Sequence, residues 1–128
     1  MRFAYTIVYV KDVAASLDFF ARAFGLARRF LHESGAYGEL ETGATALAFA
    51  SHETARGNVG DYAAADASAL PPGIEVGLVC EDVAAACERA VQAGATLLKA
   101  PASKPWGQTV AFVRCPDGTL VELCTKVA

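Results

Sequence analysis

The sequence predicts an α+β fold built from two tandem βαβββ modules, and three observations carry that expectation. Asp12-Val13-Ala14-Ala15 recurs as Asp82-Val83-Ala84-Ala85, each time after an apolar run of strand character. The closing runs TALAFA (residues 45–50) and TLVELC (residues 119–124) also correspond. Both halves then show the same order of one strand, one helix and three strands. That shared order weighs more than the identities, because short alanine-rich matches arise by chance.

The first half opens with a strand over residues 3–10, rich in aromatic and branched side chains. Asp12 is placed to cap a helix by accepting from backbone N–H groups of its first turn. Val13, Leu17, Phe20 and Phe24 follow at helical spacing and form an apolar stripe. Gly25 is the expected stop, where a left-handed conformation is cheap. Three strands are expected at 27–33, 37–42 and 45–50, with Ser34-Gly35 and Gly43 as turns. The second half repeats the scheme: a strand at 74–80, Asp82 as cap, a weaker stripe of Val83, Cys87, Ala90 and Val91, and Gly94 as stop. Its strands are expected at 96–102, 108–114 and 119–125, separated by SKPWG and CPDG. One domain therefore comprises module one at 1–50, a connector at 51–72 and module two at 73–128. A structureless connector of that length is unusual, so a short helix, a lid or a partner contact is expected there.

With 54% hydrophobic and 20% charged residues, the chain has the composition of a folded domain rather than a disordered one. A net charge of −3 without a Lys/Arg cluster speaks against nucleic-acid binding. There is no signal-peptide pattern, and no apolar run approaches the ~18 residues of a membrane span. Membrane partners are therefore not expected, and the expected location is cytoplasmic. Cys80, Cys87, Cys115 and Cys124 contain no C-x-x-C pair and are read as buried apolar thiols, with Cys115, beside a turn, the one to test for reactivity. His32 and His52 read as solvated polar residues; HETAR has Arg56 where an H-E-x-x-H helix needs its second histidine.

D-V-A-A-S-L-D-F-F after the first strand and C-P-D-G-T-L-V-E-L at the last strand resemble the vicinal-oxygen-chelate superfamily of glyoxalase I, bleomycin-resistance proteins and extradiol dioxygenases. The resemblance spans about residues 3–125. It implies that the modules form a curved, cavity-lining mixed sheet, and that relatives of this size pair as homodimers. In metal-dependent members the ligands come from the first and last strands of each module, positions that fall here on Tyr5, Ala48, Glu75 and Glu122. Against the glyoxalase I pattern of His or Gln, Glu, His or Gln, and Glu, only Glu122 matches. A non-haem iron centre of two imidazoles and a carboxylate lacks its histidines altogether.

Glu75 and Glu122 are the expected acid/base pair, since two carboxylates in a partly desolvated space raise the pKa of at least one. Tyr5 is placed to donate to an oxyanion, and Trp106 to stack on a flat ligand or to cap the core. Gln108 alternates with Val110 and Phe112 on one face. Leu47 and Phe49 point away from Ala48, under the helix. Phe19, Phe20 and Phe24 read as core. Arg28 and Arg29 read as a solvated strand start with one guanidinium within reach of a carboxylate. Two functions stay open on these residues. One is a small-molecule-binding protein for a flat or cationic ligand, without a full metal site. The other is a lyase or isomerase of the lactoylglutathione lyase type that uses Glu122 and Glu75, with Mg, Mn, Ni or Zn as the divalent metal or with none.

Overall fold

A computed structural model describes residues 1–127 and divides the chain into two compact units, Met1–Ala64 and Ala65–Ala128. In the first, β1 (Tyr5–Val10) leads to α1 (Val13–Phe24), β2 (Arg28–Leu31), β3 (Tyr37–Leu40), β4 (Ala46–Ser51) and α2 (His52–Val59). In the second, β5 (Val76–Val79) leads to α3 (Val83–Ala93), β6 (Thr96–Ser103), β7 (Thr109–Arg114) and β8 (Leu120–Cys124). Each unit is thus the expected βαβββ module. The connector supplies the short helix α2, and most strands are trimmed by a residue or more at their ends.

The two sheets share one topology, β1-β4-β3-β2 and β5-β8-β7-β6. In each, the first and last strands run parallel and the other neighbours antiparallel. The helices start as the sequence requires: Asp12 Oδ1 accepts from Ala15 N and Asp82 Oδ1 from Ala85 N, both at 3.0 Å. Gly25 ends α1 at φ 71°, and its N–H donates to the Ala21 carbonyl at 3.0 Å.

α1 lays Val13, Leu17 and Phe20 against the sheet, and the Phe20 ring meets Phe49 at 5.1 Å between centroids. Its fit is close at Gly38, where an added Cβ would stand 2.6 Å from Leu17 Cδ1. α3 buries Val83, Cys87 and Ala90 against β7 and β8, whose Ala111, Val113, Val121 and Leu123 are buried. Val91, expected in that stripe, is 44% exposed; the alanine-rich helix turns a narrower face inward than α1 does. All four cysteines are free thiols. Cys115 is fully buried and burial pushes its thiol far up. It is thus the buried apolar thiol that was expected and not a reactive one, because the thiolate is the nucleophile.

In the second unit Arg114 ties the chain on either side of the turn to the sheet. Its Nε donates to the Gly118 carbonyl at 2.6 Å, Nη1 to Ala69 at 2.9 Å and Nη2 to Asp66 at 2.7 Å. Gly118, at φ 96°, lies so close to this strap that a Cβ would come 2.6 Å from Asp66 N.

Candidate functional site

Strand alternation leaves each sheet one face turned to its helix and one turned away. On β8, Val121 and Leu123 are buried toward α3 while Glu122 faces the other side. Glu122 pairs with Gly77 of β5 and Phe112 of β7, so these positions share the helix-free face. Two residues before Gly77, and hence on that face, stands Glu75. Its carboxyl is hydrogen-bonded to Glu122 and held above the usual glutamate range, first by that bond, then by desolvation, then by repulsion from Glu122. A Glu75 carboxyl that keeps its proton to higher pH can donate it to a neighbouring acceptor.

Space is available beside the pair. A Cβ built on Gly77 meets nothing within 4 Å. Gln108 and Trp106 stand at the other end of the unit, at the β6–β7 turn. Trp106 Nε1 donates to Gln108 Oε1 at 2.6 Å, and Gln108 Nε2 donates to the Thr125 carbonyl at 2.9 Å. Gln108 is buried and its amide is engaged in the hairpin, whereas Trp106 is 59% exposed and leaves its ring for contact rather than capping the core.

The first unit carries the corresponding positions with other residues. Ile7 pairs with Ala48 as Gly77 pairs with Glu122, so Ala48 is the counterpart of Glu122 and Tyr5 that of Glu75. Tyr5 is more than half exposed and Ala48 is fully buried without a donor atom. A carboxylate that sequence reasoning passed over lies across the β3–β4 ladder from Ala48. Glu39, nearly buried, accepts from Tyr37 OH at 2.8 Å and from Arg29 Nη1 at 3.2 Å. Arg29 also forks onto Glu41 with Nε and Nη2, both at 2.8 Å. The Tyr37 hydroxyl, partly desolvated and donating to Glu39, is pushed well above the usual phenol range. One arginine therefore does reach a carboxylate, as expected, but inside a closed network. Tyr37, Glu39 and Glu41 at period two, opposite Arg29, were the signal for it.

His52 is not the solvated residue expected. Its Nδ1 is hydrogen-bonded to the Tyr62 hydroxyl, and the Tyr62 ring packs tilted against Tyr9 at 4.9 Å between centroids and lies under the Arg56 guanidinium at 5.2 Å. Burial, then the Arg56 charge, lowers its pKa.

As a metal centre the donors do not fit. A divalent site needs three or more protein ligands or waters in their place. Ala48 offers none, Glu75 and Glu122 are bonded to each other, and no group of three or more His, Cys, Asp or Glu among the described residues is arranged to hold a metal.

The model of the Glyoxalase/Bleomycin resistance protein/Dioxygenase superfamily matches residues 2–123. Among solved structures, a glyoxalase-related enzyme from Fulvimarina pelagi is 23% identical with a TM-score of 0.84, over 98% of this chain and 88% of that one. A glyoxalase/bleomycin resistance protein/dioxygenase family enzyme from Burkholderia phytofirmans PsJN is 19% identical, TM-score 0.82, over the whole of both chains. A protein of unknown function from Agrobacterium tumefaciens str. C58 is 23% identical, TM-score 0.78, over 98% and 94%. At these identities the likeness is one of fold. No curated protein matches the chain.

Proposed function

This chain belongs to the Glyoxalase/Bleomycin resistance protein/Dioxygenase superfamily, and from that premise we propose that it binds a small organic molecule bearing a cationic amine, at the Glu75–Glu122 pair and without a full metal site. The observation that carries the reading is the contact between the two carboxyls on the helix-free face of the second sheet. An ammonium group between the two carboxylates would satisfy both at once, and charge-assisted hydrogen bonds of this kind are the strong ones. Exposed Trp106, at the other end of the unit, offers a separate surface for a flat molecule. Gln108 serves by holding the Trp106 indole. The ligand is bound by a homodimer in the cytoplasm, on the resemblance to relatives of this size. Among the described residues no helix is long and apolar enough to cross a membrane.

The test is metal analysis of protein purified without chelator, with thermal-shift titrations of Ni²⁺, Zn²⁺, Mn²⁺, Mg²⁺ and a set of primary amines. The expected result is a shift with amines that is lost in Glu122→Gln. Stoichiometric metal that disappears in Glu122→Gln would overturn the reading.

A further inference from the structure

Residues 52–70 run from the end of β4 into the second unit, and the two ends of this segment are held by different kinds of contact. At the far end Arg114 donates to the carbonyls of Asp66 and Ala69, at 2.7 and 2.9 Å. Neither a guanidinium nor a backbone carbonyl changes charge near neutral pH. At the near end the hold is titratable. His52 is the first residue of α2, and its Nδ1 is hydrogen-bonded to the hydroxyl of Tyr62, shortly beyond the end of that helix. The Tyr62 ring packs against Tyr9 of β1 at 4.9 Å between centroids and lies 5.2 Å under the Arg56 guanidinium. Ala63, Ala64 and Ala65, between the two holds, carry no side chain that could replace either.

We propose that His52 and Tyr62 form a pH-sensitive latch on this segment, closed while the imidazole is neutral and released when the ring takes a second proton. In the tautomer protonated at Nε2, Nδ1 is free to accept from the phenol O–H. An imidazolium has two donors and no acceptor, so the hydroxyl loses the bond it donates. The phenol oxygen could accept instead, but that would set a second cation beside Arg56 and at the positive end of α2. The elements packed here hold few other titratable groups. β4 has none, β1 has Tyr5 and Tyr9, residues 60–64 have Asp61 and Tyr62, and α2 has Glu53 and Arg56 besides His52. Of the charged ones only Arg56 acts on the imidazole; burial first, then Arg56, holds His52 below the usual histidine range. The folded value being the lower one, the hold is complete above the ordinary histidine range and fades as pH falls through it. Acid thus frees one end only. Asp66, held below the usual carboxylate range first by the Ser68 N–H and then by its hydroxyl, keeps its charge over the same span.

The test is NMR on the full chain from about pH 8 to about pH 5, the span in which histidine changes charge. It follows the His52 ring, the cross-peaks between the Tyr62 and Tyr9 rings, and the exchange protection of two amides. Gly60 N–H, bonded to the Arg56 carbonyl, reports the near end, and Ala69 N–H, bonded to the Asp66 carbonyl, the far end; both bonds are 3.0 Å long. Expected is a loss of the ring cross-peaks and of Gly60 protection with the midpoint of the His52 titration, while Ala69 protection stays level. Gly60 protection should fall by up to about tenfold per pH unit, the limit for one linked proton. His52→Asn, whose amide reaches the place of Nδ1 without titrating, should abolish the pH response. Arg56→Met should move the midpoint to higher pH, and Tyr62→Phe should lower Gly60 protection already at neutral pH. Cross-peaks and Gly60 protection that stay constant through the His52 titration overturn the latch, as does an undiminished response in His52→Asn. Equal losses at Gly60 and Ala69 overturn it as well, since acid would then loosen the whole segment.

Discussion

The two units place opposite residues on one register. Ile7 beside Ala48 in the first is Gly77 beside Glu122 in the second, and the residue facing each across the next strand is Glu39 or Phe112. Both faces thus carry a carboxylate, one strand apart, in different company. Glu39 lies between a guanidinium and a phenol and has its charge balanced. Glu122 lies against another carboxyl. A scaffold position does not set the chemistry of an acid; its neighbours do. The first unit has spent its carboxylate on structure, while the second keeps a pair with an unmet demand for a proton or a cation.

The cores differ in the same way, and exchanging residues between them should give the largest effect. Phe20 of α1 is fully buried against Phe49, and the matching residue of α3 is Ala90, also fully buried. Phe20→Ala should cost roughly 3–5 kcal/mol in urea denaturation, as aromatic-to-alanine changes in cores do. The reverse exchange, Ala90→Phe, should cost about 1–3 kcal/mol by overpacking. A cheap Phe20→Ala would mean that α1 is not the anchor of its sheet.

A smaller effect is expected at the charged network. Arg29→Met leaves Glu39 nearly buried with only Tyr37 as donor, and should lower the urea midpoint measurably, because a hydrogen bond to a charged group is lost. The exposed pair of Arg22 and Asp18 on α1, at 2.9 Å, is the control. Arg22→Met should cost less than about 0.5 kcal/mol, as exposed helical pairs do. Equal losses at the two arginines would show that burial of Glu39 contributes nothing.

Most of this architecture was legible in the sequence, because strand, cap, stripe and stop occur in order twice. Asp12 and Asp82 announce their helices through chemistry that acts within one turn. The placement of Glu122 and Ala48 as counterparts followed from the repeat, and the register agrees with it. Less legible were contacts that join distant segments. Glu39 sits on an inner strand, and its partner Arg29 comes from across a hairpin with a register shift. Tyr62 reaches His52 and Tyr9 from a segment without periodicity, which gives no face to predict. Arg114 reads as one more strand residue, yet it binds three carbonyls, two of them in the connector.

The smallest predicted effect is the one that separates the two acidic centres most directly, because their pH dependences have opposite signs. Glu75 holds its proton to higher pH in the folded chain than in the unfolded one. The stability tied to that proton is complete below the ordinary glutamate range and is lost as pH rises through the folded value. Glu75→Gln has no such proton to lose. Its melting temperature should match the wild type in acid and exceed it by a few degrees or less above the carboxylate range. Glu41 behaves the other way, since its bond to Arg29 holds its pKa below the usual value. That stability is present above the ordinary range and disappears as pH falls through the folded value, so Glu41→Gln should be the less stable protein near neutrality and converge with the wild type in acid. Melting curves of both variants from acid to neutral pH decide the matter. Parallel curves would mean that Glu75 and Glu122 are not in contact in solution, and the site would lose the feature that sets it apart from the first unit.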